Sequence, residues 1–263
     1  MIQLMKPIVH QIYANNPLRN FNYLVEGKNG YVIIDPYDSD QVIKQLGESA
    51  NVLGIINTHE HHDHIRGNAA LKSKYQCKVF CHANALQVIP EADNALGEGD
   101  QIDLGDNWFL ETIDTPGHTF SHLCLFLKNA DVTHAVFTGD TLFNAGVGNC
   151  HNGGDPKVLF ETIRDHFKDL DDSVVVYPGH DYLRNNLAFT IDREPSNKVA
   201  HDWLGRHQRI DQNQEFWLTK MKDERLINTF LRLDKPSVVD NLPIRVQDEK
   251  SVFITLRELR NNW

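Results

Sequence analysis

Residues 58–64 read Thr-His-Glu-His-His-Asp-His, and His59, His61, Asp63 and His64 fall within six positions. An ordinary surface loop has no use for so dense a set of metal-competent side chains. Imidazole and carboxylate without thiolate suit a divalent Zn, Fe or Mn ion, and the residues do not choose among them. Alternation across the His-x-His sends His59 and His61 one way. The next turn brings Asp63 and His64 round to a second position, a layout for two adjacent metals. The flanks say how this cluster is held. Val52 to Asn57 reads as a short buried strand, and Ile65 to Tyr75, without strand alternation, reads as a helix. The ligands therefore lie in a tight turn at the C-terminal end of a strand, where a rigid scaffold can aim them at one point.

Three further strands end in the same way. Phe109 to Thr115 runs into Pro116-Gly117-His118-Thr119, with Ser121-His122 just beyond. Ala135 to Thr138 ends in Gly139-Asp140-Thr141, and Val174 to Tyr177 ends in Pro178-Gly179-His180. Glycine permits a sharp backbone turn and leaves room for close approach. One such end alone reads as a structural turn. Four in order, each carrying a ligand type, read as a site.

The order of these motifs, T-H-x-H-x-D-H, G-H, G-D and G-H, resembles the metallo-β-lactamase superfamily, and within it glyoxalase II, the hydroxyacylglutathione hydrolases. Gly139-Asp140-Thr141-Leu142-Phe143 and Pro178-Gly179-His180-Asp181-Tyr182 are similar to that family's wording, as are Glu224, Asn228 to Arg232 and Ser251 to Arg257. The resemblance runs nearly end to end. It implies an α/β fold, an αββα sandwich with a C-terminal helical domain. It also implies His59, His61 and His118 on a first metal, Asp63, His64 and His180 on a second, and Asp140 bridging both. The expected cofactor is two divalent metal ions per chain, zinc first, with iron or manganese as alternatives. The implied reaction is hydrolysis of an acyl-thioester, S-D-lactoylglutathione to D-lactate and glutathione. The nucleophile expected is a hydroxide shared by two metals roughly 3.5–4 Å apart. Asp63 and Asp140 then take part through the metals, Asp63 as a ligand and not as a free base. No Gly-x-Ser-x-Gly elbow is present for a serine mechanism.

The thiol carrier is matched only in part. The family typically has G-[RK]-x-[FY]-E-G after the bridging Asp, whereas this chain has Gly148-Asn149-Cys150-His151-Asn152-Gly153. Asn149 stands where a cation is expected and His151 where an aromatic ring is expected. Tyr182 matches a tyrosine that contacts glutathione, and Arg232 and Lys235 lie in the segment the resemblance expects to supply cations to its glycine carboxylate. A missing charge-assisted hydrogen bond removes about 1.5–3 kcal/mol, enough to weaken glutathione binding or redirect it to another thiol. The remaining candidates have plainer readings. His62 points away from the metals, and Glu60 faces outward or into the surroundings of the ligands. His122 reads equally as a support for His118 or as a strand-end residue. Asp35 reads as a turn former that could also orient a ligand, and Cys150 as a small loop residue that could also be an oxidisable thiol near the site. His10, His82, His134, His166, His201 and His207 have no ligand spacing.

At 263 residues and a formal charge of −10, with no basic stripe, the chain is not suited to a nucleic-acid backbone. Met1 to Pro7 lacks a signal-peptide pattern, and no apolar run approaches a membrane span. Cys77, Cys81, Cys124 and Cys150 read as reduced thiols. The expectation is a cytoplasmic enzyme, monomer favoured, whose partner is a small-molecule thioester, with no nucleic acid and no membrane. Val9 to Ala14, Phe21 to Glu26 and Tyr31 to Asp35 read as strands, the last two joined by a turn at Gly27-Lys-Asn-Gly30. Ser39 or Asp40 caps a helix, and Asp155-Pro156 opens another carrying Leu159, Ile163, Phe167 and Leu170. From Leu183 onward the spacing is helical, over Leu187 to Ile191, Val199 to Ile210 and Val252 to Leu259, with Pro195, Pro236 and Pro243 as punctuation. The expected division is therefore a metal domain, 1–182, and a helical substrate-binding domain, 183–263. Other readings are a lactonase or a thioesterase for another carrier on the same scaffold, a persulfide dioxygenase with one iron, and a non-catalytic metal-binding module. The helical C-terminal part speaks against a lactonase. A single iron leaves Asp63, His64 and His180 without a joint purpose.

Overall fold

Strand β1 (Ile8–Tyr13) pairs antiparallel with β2 (Phe21–Gly27), which turns at Lys28-Asn29 into β3 (Gly30–Ile34). The computed structural model describes residues 6–245 and 248–263, so most of the N-terminal stretch weighed above as a leader, residues 1–5, lies outside the described residues. Helix α1 (Ser39–Leu46) follows β3, capped by Asp38 and not by Ser39 or Asp40: Asp38 Oδ1 accepts from Asp40 N at 3.0 Å and Gln41 N at 3.1 Å. The chain continues through β4 (Val52–Ile56), α2 (His62–Ile65), α3 (Asn68–Tyr75), β5 (Val79–His82) and β6 (Asn94–Leu96). The helix expected from Ile65 to Tyr75 is broken at Gly67, whose N–H leaves the helical ladder for Pro36 O at 2.7 Å. These strands form one sheet in the order β1-β2-β3-β4-β5-β6, with β3 to β6 parallel. Parallel neighbours need crossovers: α1 leads from β3 to β4, the α2–α3 pair from β4 to β5, and residues 83–93, with a 3-10 turn at Ala83–Ala85, from β5 to β6.

Successive side chains of a strand face opposite ways, and β2 is buried on both. Leu24 joins Ile33, Ile55 and Val79 against Val42 of α1 and Leu71 of α3. Its neighbour Tyr23 meets Phe137 edge-on at 5.3 Å across the other face. Phe137 belongs to a second antiparallel run, β7 (Gln101–Gly105), β8 (Trp108–Asp114), β9 (Leu123–Asn129) and β10 (Val132–Gly139). These elements form one compact unit, up to Thr115 and again Ser121–Gly139.

The second unit takes Pro116–Phe120 and Asp140–Trp263. It holds the two-residue strands β11 (Leu142–Phe143) and β12 (Gly146–Val147), then α4 (Pro156–His166) and β13 (Val175–Pro178). Asp155 caps α4 and Pro156 is its first residue, as the sequence indicates, but the helix stops at His166 and leaves Leu170 in a turn. The remainder is mostly helical: α5 (Leu183–Arg193), α6 (Lys198–His207), the short β14 (Thr219–Lys220) paired with β13, α7 (Met221–Ile227), α8 (Pro236–Val239) and α9 (Glu249–Asn261). Leu183, Leu187, Ala200 and Ile227 pack with Ala145 in one core cluster. Among the described residues no helix is long and apolar enough to cross a membrane.

Candidate metal centre and substrate cavity

The first unit gathers His59, His61, Asp63 and His64 at the end of β4, and His59, Asp63 and His64 are held by separate partners. Asp35, just past β3, is buried with φ 49°. Its Oδ1 accepts Thr58 N–H at 2.7 Å, and its Oδ2 accepts the Thr58 hydroxyl at 2.6 Å and His64 Nδ1–H at 2.9 Å. A carboxylate only accepts, so His64 carries its proton on Nδ1 and offers Nε2 as a lone pair. Nε2 lies 3.4 Å from Asp63 Oδ2. The single hydroxyl proton of Thr58 goes to Asp35, so its oxygen accepts from His59 Nδ1 at 3.0 Å, leaving the lone pair of His59 on Nε2. That nitrogen stands 3.0 Å from His61 Nδ1. Two ring nitrogens so close share either a proton or a cation. Asp63 is held by the buried Asn20, whose Nδ2 donates to Oδ2 at 2.8 Å.

The neighbours resolve in the same unit. His62 is exposed, and Glu60 turns to accept the Ser121 hydroxyl at 2.8 Å. His122 stacks on His59 with ring centroids 5.0 Å apart and has Nδ1 2.9 Å from Thr115 Oγ1. Gly139, at φ 45°, has no space for a side chain: a Cβ there would lie 2.5 Å from Thr58 Oγ1 and 2.6 Å from His122 Nε2. The glycine at this strand end is thus required both by backbone conformation and by close approach.

The second unit holds the other three candidates. Asp140 is buried, with Oδ2 3.5 Å from His118 Nε2 and Oδ1 3.2 Å from His180 Nε2. One carboxylate thus turns each of its oxygens to a different imidazole, the arrangement a bridging ligand needs. His118 donates Nδ1–H to Asn149 O at 2.6 Å, which leaves Nε2 as the lone pair facing Asp140. The loop carrying it is tied to α4 by Asp155 N–H to Gly117 O at 3.0 Å and the Thr162 hydroxyl to Pro116 O at 2.6 Å. His180 lies flat against Tyr182, centroids 4.9 Å apart and planes 1° from parallel, and Phe143 meets both rings edge-on. The candidate donor set is imidazole and carboxylate throughout, with the free lone pair of His59, His64 and His118 set on Nε2 by a hydrogen bond at the opposite ring nitrogen. Those residues fit divalent metal.

The second unit also contains a cavity of ≈ 230 Å³ lined by Phe143, Val147, Asn149, His151, Tyr182, Asn186, Arg257, Arg260 and Asn261. Asn149, His151 and Tyr182 are therefore brought together. Arg232 and Lys235, expected to face the same ligand, lie elsewhere. The Arg232 guanidinium forks onto buried Glu194 at 2.6 and 2.8 Å and donates to Arg225 O at 3.0 Å, while Lys235 pairs with Asp234 on the exposed surface. Burial raises the carboxyl pKa of Glu194, but the hydrogen bonds from Arg232, Ser237 and Asn197 outweigh it and hold the carboxyl below its ordinary value. The cations at the cavity are Arg257 and Arg260 instead. Burial, and then the charge of Arg260, brings the pKa of Arg257 down to about 10, and burial also lowers that of Arg260. Arg257 ends a run that the sequence marks only by its family resemblance, and nothing in helical spacing marks a buried cation as part of a cavity wall. Asn20 had no sequence signal at all.

Known proteins resemble this chain in sequence and fold. Residues 15–180 match the profile of the metallo-beta-lactamase superfamily, and residues 181–263 match that of the hydroxyacylglutathione hydrolase C-terminus. Hydroxyacylglutathione hydrolases of Nitrosococcus oceani and of a Polaromonas species are each 42% identical over 97% of this chain and 100% of their own length. Among solved structures, ETHE1 from Myxococcus xanthus superposes with a TM-score of 0.67 at 23% identity, over 97% of this chain and 91% of that one, a likeness of fold. TTHA1623, solved in a di-iron-bound form, is 28% identical over 67% of this chain and 92% of that one, with a TM-score of 0.52. With near-complete relatives at this identity and the two profiles together matching residues 15–263, the chain belongs to the metallo-β-lactamase superfamily and, within it, to the hydroxyacylglutathione hydrolases.

Proposed function

We propose that this chain hydrolyses S-acylglutathione thioesters, S-D-lactoylglutathione to D-lactate and glutathione foremost, at a centre of two divalent metals. His59, His61 and His118 would hold one metal and Asp63, His64 and His180 the other, with Asp140 bridging. The observation that carries the reading is Asp140, whose two oxygens each face a separate imidazole. The di-iron form of TTHA1623 supports two metals on this scaffold, and zinc is the metal we favour here. When bound, such a pair supplies an acidified water as nucleophile and Lewis-acid stabilisation of the acyl oxygen.

The protein's own residues do the rest. Asp35, Thr58 and the Asn149 carbonyl fix imidazole tautomers, so no ligand has to reorganise during turnover. The leaving group is a thiolate, which departs without strong protonation, and no general acid is needed. We assign the carrier to the ≈ 230 Å³ cavity, with Tyr182 as one wall and Arg257 and Arg260 as the carboxylate grip in place of Arg232 and Lys235. In the same reading, the division at residue 182 separates a metal domain from a helical domain that contributes this grip. The near absence of strands after Leu183 supports it. A substrate panel on metal-reconstituted protein tests the proposal: glutathione thioesters should turn over well ahead of thioesters of other thiols, lactones, β-lactams and a persulfide. A lactone or persulfide preferred over every thioester would overturn it.

A further inference from the structure

Arg257 reaches beyond the cavity wall. It is 5% exposed, and its Nη1 donates to Val147 O at 2.9 Å and Gly148 O at 3.1 Å, while Nε donates to Asn261 Oδ1 at 3.1 Å. These partners are all neutral, and among the described residues none meets Nη2. The next carbonyl along, Asn149 O, is the one that accepts His118 Nδ1–H at 2.6 Å. Holding the Gly148 carbonyl fixes the peptide plane shared with Asn149 N. Only the two dihedrals of Asn149 then separate that plane from the carbonyl His118 uses. The segment has little freedom elsewhere. Glu224 accepts Ala145 N–H on both oxygens at 3.0 and 3.1 Å, and Asn228 Nδ2 donates to Gly146 O at 3.1 Å. A Cβ on Gly148 would lie 1.9 Å from Asp140 O, so the backbone of this segment is pressed against the bridging residue itself.

We propose that Arg257 is a positioning residue that links the cavity to the metal centre: through the backbone of residues 147–149 it sets the orientation of His118, so that an anion in the cavity tightens metal binding. The guanidinium is planar and rigid, so a carboxylate drawing on Nη2 and the carbonyls drawing on Nη1 act on one body. The coupling is reciprocal by thermodynamic necessity. The inference rests on the reading of His118 as a metal ligand and goes beyond it by making α9 part of the metal site.

The test is zinc affinity of metal-stripped protein, read by competition with a chromophoric chelator, with and without S-methylglutathione, a thioether that cannot be hydrolysed. Wild type should bind zinc at least about fivefold more tightly when S-methylglutathione is present. Arg257→Met should weaken zinc binding and abolish that gain, and Arg257→Lys, which can still donate to a carbonyl, should recover part of the affinity. Arg232→Met removes a comparably placed cation that touches neither the cavity nor residues 147–149, and should leave zinc affinity unchanged. Equal loss in Arg232→Met and Arg257→Met, or no gain with S-methylglutathione in wild type, overturns the inference while the dinuclear reading stands. A wild-type chain that takes up no zinc overturns both.

Discussion

His59, Asp63, His64 and His118 are each oriented by a partner that is not itself a candidate ligand, and these partners differ in how visible they are in a sequence. The histidines and aspartates could be picked out because four of them crowd into six residues and the others stand at glycine-marked strand ends. Asp35 was half legible, as an aspartate ending a strand. Its three hydrogen bonds depend on where β3 and β4 lie side by side, which spacing along the chain does not encode. Asp35→Asn should lower metal affinity by about 10–100-fold, the usual effect of losing a ligand-orienting partner, measured by chelator competition; unchanged affinity would deny it that role. Cys150 sits by the cavity with its thiol pKa pushed up to about 11, mainly by burial, so it is a poor nucleophile near neutral pH. Cys150→Ala should keep wild-type kcat, and an acyl group trapped on Cys150 during turnover would refute that. The Asn149 side chain accepts from His151 N at 3.2 Å within its own loop. Asn149→Arg should lower KM for a glutathione thioester roughly tenfold with kcat nearly unchanged, since one charge-assisted contact strengthens ground state and transition state alike. If KM rises, the loop is shaped for a different carrier.

Long elements were easier to read than short ones. The buried strands β2, β3 and β4 and the helices α4, α6 and α9 were identified with ends shifted by a few residues, because a core imposes its period on them. The break between α2 and α3 was not, since it depends on Pro36 accepting the Gly67 N–H from a distant loop. The hairpin of β11 and β12 was missed as well: two-residue strands carry no pattern, and this one is fastened by Glu224 and Asn228 some eighty positions later in the chain. Glu224 gives that fastening a pH signature. Its carboxyl is fully buried, and desolvation raises its pKa from 4.5 to about 7, against the lowering effect of hydrogen bonds from Thr219, Ala145 and Asn228. Between those two values the folded chain holds a proton that the unfolded chain has lost. This group's stabilising contribution is complete below about pH 4.5 and declines as pH rises through 7, by about 3 kcal/mol in all. Denaturant unfolding of metal-free wild type and Glu224→Gln at pH 5 and pH 8 should show the variant losing less stability over that interval. Parallel losses in the two proteins would mean that Glu224 ionises freely in the fold.

Taken whole, the molecule carries a formal charge of −10 yet is assigned an anionic substrate, so recognition must come from local cations and metal, not from the overall field. Arg257 and Arg260 provide the cations at the cavity. The positive charge at the reacting bond would come from the two metals. The decisive measurement is the rate of S-D-lactoylglutathione hydrolysis as zinc is returned to metal-free protein, followed against equivalents bound per chain. The rate should climb until two equivalents are bound, and Asp140→Ala should bind fewer and stay slow. Full activity at one equivalent, or with a single tightly held iron, would contradict the dinuclear centre.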